Sequence, residues 1–549
     1  MFPWRNWSYE VLPALSVRRK ELRHSLRIVT VAWMYGVVWF ACVNGEQLRA
    51  FVRMLGFNDF AFGVLGAVPF LASVGQLAAA ITIERTGLRK YHFVVYATLH
   101  RLLWFGVAAV PLVLSPGPVA VVMVLVLLAA SNYLGAVSVP SWTTWMGDLI
   151  PRRIRGRYFA RRAQWSQAVM IVAVIAISIA LDKVAVRNSP EAMSSQPVLM
   201  RLICGVFAVG AVFGVIDILT FLRVREVVPP HRAGREPQHR TARSWLRRLA
   251  GGVRAVRELL LDPLLDKGFR HYVGFGATLT FTAVVSGWYF WRYSTEGLGF
   301  SKLGTNALFL VIGPLAGTVT AGLWGRLQDR WGRRPVLIVC TVGATVAMLP
   351  WFFTSRDIAT PACMVHGINA LCGAAGQLSG RGDWHWVTSR TPVVSYLLAS
   401  LAVILGGSSW TGIGLAQTGI ILGFCDGPRR NQYVAVSAVL VNMGGAIGGL
   451  TGGIITQSLG YFQTHPLHVG PFAYNNWHAT FAVGTVVRAL SMLWLTRMPD
   501  AGASSVRDML RYYMSAPYSG WQMWLWSPLR LLLGRGRRGA GPTDPGGRE

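Results

Sequence analysis

The chain is poor in charged side chains and in cysteine for its 549 residues. Charged residues make up 14% of it, against about 25% in soluble domains. Its six cysteines form no C-x-x-C pair and no His/Cys cluster, which excludes a recognisable metal site or disulfide framework. A P-loop, an H-E-x-x-H motif and a Ser/His/Asp cluster are also missing. The sequence therefore favours neither an enzyme nor an ATP-driven pump, and we expect no cofactor.

Apolar residues, in contrast, make up 53% of the chain, more than one soluble core can bury. Runs of about 20 mostly apolar residues, the length that crosses a bilayer, occur twelve times. These predicted spans, numbered one to twelve in chain order, are 28–45, 60–83, 93–114, 118–147, 165–182, 198–222, 271–292, 303–325, 335–354, 391–424, 433–457 and 477–496. We expect an all-α polytopic membrane protein with twelve transmembrane helices.

The distribution of basic residues predicts the orientation in the membrane. The formal charge is +30, but Lys and Arg occur in short runs between apolar segments, so we expect no nucleic-acid partner. With the N-terminus inside, the inner segments carry 41 Lys and Arg and the outer loops carry ten. This asymmetry predicts a multi-pass protein of the cytoplasmic (inner) membrane with both termini in the cytoplasm.

Two pairs of loops indicate an internal repeat. Residues 84–90 (ERTGLRK) follow span two, and residues 329–334 (DRWGRR) follow span eight. Residues 148–153 (DLIPRR) follow span four, and residues 426–430 (DGPRR) follow span ten. The offsets are 245 and 278 residues, so the second half has gained about 33 residues. This pattern predicts two parallel six-helix halves and an insertion between spans nine and ten.

The predicted regions follow from this repeat. They are a cytoplasmic N-terminal segment (1–27), a first half (28–222), a basic cytoplasmic linker with an amphipathic helix (223–269), a second half (270–498) and a cytoplasmic amphipathic, basic tail (499–549). We expect the linker and tail to bind an anionic inner leaflet; the alternative is that both are disordered. We interpret the insertion, about 355–390, as a re-entrant or membrane-surface hairpin outside, because a thirteenth span would move Arg429 and Arg430 outside.

The loop after span eight, residues 325–335 (GRLQDRWGRRP), closely resembles the G-x-x-x-D-R-x-G-R-R signature of the major facilitator superfamily. The copy after span two departs from it, with Ala80 for Gly and Glu84 for Asp. Residues 148–162 (DLIPRRIRGRYFARR) resemble the loop of a bacterial branch of this superfamily and indicate no substrate. The resemblance implies two pseudo-symmetric halves and secondary active transport of a small solute by alternating access.

The resemblance also implies that spans one, four, seven and ten line a central cavity. Candidate cavity residues on these spans are neutral polar or aromatic: Trp33, Tyr35, Trp39, Asn44, Asn132, Tyr133, Trp142, Ser286, Trp288, Tyr289, Ser409, Trp410 and Gln417. Such groups suit an amphipathic, uncharged solute. Packing or anchoring at the bilayer surface is the alternative for each aromatic residue.

The loop signatures supply candidate gating residues, in which acids and arginines on the inner face could form contacts in one state that break in the other. These are Glu84, Arg85, Gly87, Arg89, Asp148, Arg152, Gly325, Asp329, Arg330, Gly332, Arg333, Arg334, Asp426 and Arg429. The alternative is that the arginines only determine topology.

The sequence indicates ion coupling less clearly than it indicates the topology. Acids or histidines that could carry a coupling proton or Na⁺ are Glu46 and Asp217 at the ends of spans and His100 within span three. Arg101 and Arg488 lie within spans three and twelve, and we expect them to pair elsewhere in the bundle or to snorkel. Glycine pairs at 444–445, 448–449 and 452–453 of span eleven predict close helix packing. We expect a monomer. The alternative function is a non-transporting membrane sensor or lipid-handling protein of the same fold.

Overall fold

The computed structural model of the chain describes residues 19–76, 79, 89–150, 152–186, 196–224, 263–358, 360–378, 391–423 and 430–498. The predicted linker helix and the tail lie outside these residues. So do five of the candidate gating residues, Glu84, Arg85, Gly87, Asp426 and Arg429.

Eleven helices of the described chain are long and apolar enough to cross a membrane. A shorter apolar helix, Asp59–Ala72, stands at the position of span two, and residues 80–88 that follow it are not among those described. In chain order, the main helices of spans one to twelve are Arg19–Val43, Asp59–Ala72, Arg89–Val113, Pro118–Leu149, Arg152–Val186, Gln196–Thr220, Lys267–Arg292, Gly313–Trp331, Arg333–Val346, Val393–Gly423, Arg430–Ser458 and Asn476–Thr496.

Short elements extend several of these helices. A helix Glu46–Met54 follows span one, and 3₁₀ turns Phe221–Arg223 and Leu349–Phe353 end spans six and nine. Span eight begins with a short helix Lys302–Asn306 and a π-helical segment Ala307–Ile312, and a π-helical turn Tyr293–Gly297 ends span seven. After span eleven come a helix Tyr461–Thr464 and an antiparallel hairpin of strands Leu467–Val469 and Phe472–Tyr474, with Leu467 opposite Tyr474.

The insertion between spans nine and ten contains a helix, Ala362–Leu378. This helix has 17 residues, about 26 Å at 1.5 Å per residue, and it is not among the eleven membrane-crossing candidates of the described chain. Hydrogen bonds tie the insertion to the start of span ten, because Ser395 Oγ donates to the carbonyl of Ser355 over 2.7 Å. Residues 362–378 of the insertion are thus helical, residues 379–390 are not among those described, and the hairpin stays a prediction.

Among the described residues, each half has two main apolar cores, one near either end of its helices. In the first half, Phe51, Trp104 and Phe207 pack near the loops after spans one and three, and Trp145 and Phe221 pack at the opposite end. The second half repeats this arrangement, with one core around Phe481 and another around Phe269. Large apolar side chains elsewhere on the spans are exposed, such as Val172 at 69% and Leu112 at 76%, as expected of a surface solvated by lipid.

Within the described residues, the halves contact each other at one end, which we call the closed end. It is the end that carries the loops after spans one, seven and eleven. Span two packs against span eleven, and the start of span eight packs against span five. Eight hydrogen bonds between two described residues cross from one half to the other, and all eight lie at the closed end.

Candidate functional site: the contacts between the halves

A buried ionic network joins the halves at the closed end. The Arg292 guanidinium of span seven, 1% exposed, donates to the Asp59 carboxylate of span two. Asn476 of span twelve donates to the other Asp59 oxygen over 3.1 Å, and the Tyr289 hydroxyl donates to the Asp59 carbonyl over 3.2 Å. Glu296 binds Arg292 from its own half at 3.0 Å. Three spans thus meet at one buried charge pair.

Asp59 and Arg292 are positioned by the ends of the helices that carry them. Asp59 lies in the first turn of its helix, after Asn58, whose side chain accepts from the backbone of Ala61. Arg292 is the last residue of its helix. A carboxylate at a helix N-terminus and a cation at a C-terminus each interact favourably with the helix dipole. The π-helical turn after Arg292 brings Glu296 round to the same guanidinium.

A second polar set joins spans one and five to the start of span eight. The Asn306 side chain accepts from the backbone of Glu46 over 2.9 Å and donates to Ser178 over 2.9 Å. The Asp182 carboxylate accepts from the backbone amides of Lys302 and the next residue, at 3.0 and 2.9 Å. A side chain of the first half therefore caps a helix of the second half.

An arginine–tryptophan stack also joins the two halves at the closed end. The Arg49 guanidinium of the first half lies 3.6 Å from the ring centre of Trp291 and 4.6 Å from that of Trp288. Arg49 is 9% exposed, so this cation–π contact is largely desolvated, the condition under which such contacts are strongest.

The glycine pairs of span eleven form two seams. On one face, Gly445, Gly449 and Gly453 touch span two of the opposite half, and a Cβ added to Gly63 of span two would lie 2.5 Å from the Gly453 Cα. On the other face, Gly444, Gly448 and Gly452 touch span seven of their own half. The glycines therefore pack as the sequence predicts, and one of the two seams lies between the halves.

Two of the predicted cavity residues, on spans one and four, are brought together by a residue that the sequence did not indicate. The Arg162 guanidinium of span five lies 4.7 Å from the ring centre of Trp33 and 5.3 Å from that of Trp142. The sequence predicts neutral groups here, because the resemblance implies cavity walls from spans one, four, seven and ten only. Span five adds a positive charge.

The other candidates on spans one and four lie in different surroundings. Trp39 is 9% exposed and is covered by Arg101 at 3.3 Å, and Tyr35 packs against Phe213. The amides of Asn44 and Asn132 donate to carbonyls of their own helices, and Tyr133 is 44% exposed.

On spans seven and ten, the candidates contact neighbouring helices. Tyr289 and Trp288 belong to the contacts between the halves described above. Ser286 is buried against span twelve, and Ser409 is buried beside Gly343 of span nine. Trp410 lies below Arg488 at 5.3 Å, and the Gln417 carbonyl accepts from Tyr272. The structure thus places these residues against different neighbouring helices and not in one cluster. Their role in a cavity stays a prediction.

The described gating candidates lie at the end opposite the closed end. Gly332 separates spans eight and nine with a φ of 93°, a conformation that favours glycine. Arg334 donates to the carbonyl of Thr496 over 2.8 Å, and Arg333 packs against Gly419 of span ten. Arg89 is buried, Arg330 is exposed, and nothing lies within 4 Å of a Cβ built on Gly325. Asp148, Arg152 and Asp329 lie on helices whose side chains at these positions are not described.

The two arginines inside spans three and twelve have different partners. Arg101 lies 3.5 Å from the Asp217 carboxylate of span six, both buried. Gly36 of span one makes room for that carboxylate, since a Cβ there would lie 2.6 Å from its oxygen. Arg488 instead donates to the Thr282 hydroxyl and to the carbonyl of Ala344. One arginine therefore has an ion-pair partner and the other has neutral acceptors.

Among the described residues, no group of three or more His, Cys, Asp or Glu side chains could hold a metal ion. The family model of the Major Facilitator Superfamily matches residues 28–382. The chain belongs to the major facilitator superfamily. It folds as an all-α polytopic membrane protein with two pseudo-symmetric halves of six transmembrane helices.

Solved structures share this fold. The chain is 13% identical to the D-xylose–proton symporter, with a TM-score of 0.57, covering 88% of this chain and all of that one. It is 14% identical to the nucleoside transporter NupG, with a TM-score of 0.54, covering 87% of this chain and 98% of that one. A POT family transporter in complex with a thioalcohol conjugated peptide is 12% identical, with a TM-score of 0.57 and coverage of 86% and 96%. No curated protein matches the chain.

Proposed function

We propose that this membrane transporter is a secondary active carrier that moves a small solute across the cytoplasmic membrane by alternating access. The observation that carries the proposal is the buried network of Asp59, Arg292 and Asn476, which joins spans from both halves at one end only of the described structure. A carrier needs such contacts to form in one state and to break in the other.

The composition of the closed end suits repeated opening. Its hydrogen-bonding groups can exchange their partners for water when the halves separate, so breaking them costs little net free energy. The glycine seam between spans two and eleven brings backbone against backbone, so the halves can part there without rearranging interlocked side chains. We infer that these features allow one half to rock against the other.

The topology completes the proposal. With both termini in the cytoplasm, the closed end faces outward, and the structure corresponds to a state that opens toward the cytoplasm. The loops with Gly332, Arg333 and Arg334 then lie at the cytoplasmic gate.

Coupling to a proton or Na⁺ belongs to the same proposal. Its support is Asp217, a buried acid in span six whose Oδ1 atom lacks a hydrogen-bond partner among the described residues.

The test measures both ends of the purified protein in one lipid environment. Spin labels at Ser115→Cys and His468→Cys report on exposed loops of the two halves at the closed end, and labels at Arg223→Cys and Arg497→Cys report on the opposite end. Alternating access predicts two distance populations at each end that exchange in opposite directions. A single, unchanging distance at both ends, across a broad solute panel, would favour the non-transporting alternative.

A further inference from the structure

The loop between spans eleven and twelve, residues 459–475, contains no charged side chain. From residue 431 to residue 487 the chain has no Lys, Arg, Asp or Glu. The loop after span one, at the same end, contains Glu46, Arg49 and Arg53. Lys, Glu, Arg and Asp are among the residues most often exposed to water, so their absence indicates that water is not the only solvent of the uncharged loop.

The hairpin in this loop collects apolar side chains on one face. Leu467 is opposite Tyr474 and Val469 is opposite Phe472, and residues directly opposite each other in antiparallel strands point to the same face. We call these four residues the apolar face of the hairpin. His468, which lies between Leu467 and Val469 in sequence, points to the other face.

One strand of the apolar face packs against the ends of two spans. The Phe472 ring makes an edge-to-face contact with Phe353 at the end of span nine, with ring centres 5.9 Å apart. The Tyr474 ring packs against His478 of span twelve, with ring centres 5.1 Å apart. The two residues of the other strand are 58% and 59% exposed. The hairpin is therefore attached to the second half by one strand and leaves the apolar side chains of the other strand exposed.

The apolar face continues a surface of span nine that is turned to lipid. Span nine packs against spans eight, ten and twelve of its own half. Along its remaining side, Val342, Val346, Leu349 and Phe353 follow one another at helical spacing and are 43%, 45%, 46% and 53% exposed. On a helix that can cross a membrane, such a row contacts hydrocarbon. The row ends at Phe353, the residue that Phe472 contacts, so the hairpin lies where this surface leaves the bilayer.

The other side chains of the loop also suit the boundary between lipid and water. Tyr461, just after span eleven, is 67% exposed, and its ring stacks on His465 with ring centres 4.5 Å apart. Tyr is enriched at this boundary because its ring is apolar and its hydroxyl is polar. A two-stranded hairpin alone is at best marginally stable in water. Contact with lipid would stabilise the strand that the protein leaves uncovered.

We propose that the apolar face of this hairpin lies in the surface of the bilayer at the closed end, with Leu467 and Val469 in contact with lipid. The partner is the boundary between head groups and acyl chains, and the interaction depends on buried apolar area, not on charge. In the proposed topology this is the outer leaflet. The contact does not depend on transport, so it can be tested separately from the proposed function.

The test uses the full-length protein in phosphatidylcholine nanodiscs, in a background without the six native cysteines. A nitroxide spin label is attached at Leu467→Cys, His468→Cys or Val469→Cys, one position at a time. Collisions with dissolved oxygen report exposure to lipid, and collisions with a water-soluble nickel chelate report exposure to water. We expect the oxygen-to-nickel ratio to be severalfold higher at 467 and 469 than at 468, because neighbouring residues of a strand point to opposite faces.

The label at 468 is the matched control, since it lies in the same strand and on the other face. Frequent nickel collisions at all three positions would place the hairpin in water and overturn the proposal. Few collisions with either reagent at 467 and 469 would mean that protein covers the face, as a second copy of the chain would, and would also overturn it. The thermal midpoint of each labelled variant shows whether it is folded, and two positions report on the same face.

A second measurement compares two charge substitutions. Val469→Asp places a carboxylate in lipid and should lower the thermal midpoint in nanodiscs more than His468→Asp, which places the same group in water. Equal midpoints would contradict the proposal, because a substitution at an exposed position in water usually has little effect. Replacing part of the phosphatidylcholine by phosphatidylglycerol should leave the collision ratios unchanged near pH 7.5, where histidine is mostly neutral. A contact that forms only with the anionic lipid would depend on charge and would refute the apolar interaction.

Discussion

Replacing Asp59 by Asn removes the negative charge at the centre of the closed end. Arg292 is 1% exposed there, and breaking a buried ion pair by removing one partner costs about 3–5 kcal/mol. Glu296 remains at 3.0 Å from the guanidinium, so we take the lower value, about 3 kcal/mol. Water solvates Arg292 once the halves separate, so the cost falls on the closed state. Because about 1.4 kcal/mol is a factor of ten, the ratio of closed to open molecules should fall about a hundredfold.

The assay is the distance distribution between labels at Ser115→Cys and His468→Cys, with the thermal midpoint measured in parallel. The matched control is Glu296→Gln, which removes a carboxylate from the same arginine. That side chain is 31% exposed, and exposed pairs contribute about 0–1 kcal/mol, so its shift should not exceed about fivefold. An unchanged distribution in Asp59→Asn, or equal shifts in the two variants, would refute the argument.

Three further outcomes are expected. Gly63→Ala should shift the closed-end distances toward the open state, because its Cβ meets backbone at 2.5 Å, whereas Gly322→Ala, with nothing within 4 Å, should not. Arg101→Met should lower the free energy of unfolding by about 3–5 kcal/mol, because it leaves a buried carboxylate without its pair; Arg488→Met leaves only neutral acceptors and should cost about 1–3 kcal/mol. Equal losses in chemical denaturation would contradict this. Asn306→Ala removes hydrogen bonds between the halves and should favour the open state about tenfold, which the same labels measure.

The spans were predictable because lipid demands long apolar runs, and their bounds agree within a few residues where a span ends in polar sequence. Spans one and five are exceptions. Their helices begin at Arg19 and Arg152 rather than near residues 28 and 165, because the additional turns carry charged residues that hydropathy counts against a span. The π-helical segments around residues 293–297 and 307–312 have no hydropathy signal either.

The contacts between the halves could not be read from the sequence. Asp59 and Arg292 are 233 residues apart, and each looks like an ordinary charge at the end of a span. Their position in the first and last turns of two helices was the available signal. From the sequence, Arg162 is one more charge of an inner loop, since nothing in its own segment shows that Trp33 and Trp142 lie beside it. Pairings of this kind depend on which helices are neighbours.

The two glycine seams of span eleven form two edges of this helix, one residue apart in sequence. They differ in how long their contacts last. In the proposed transport cycle, the edge against span seven joins helices of one half and persists in both states. In the same cycle, the edge against span two is present only while the closed end is shut. A methyl group added to the first edge would weaken the molecule at all times, whereas one added to the second would alter how long each state lasts. Adjacent positions in the same helix thus affect different properties: one affects the stability of the fold, and the other affects how long the closed end stays shut.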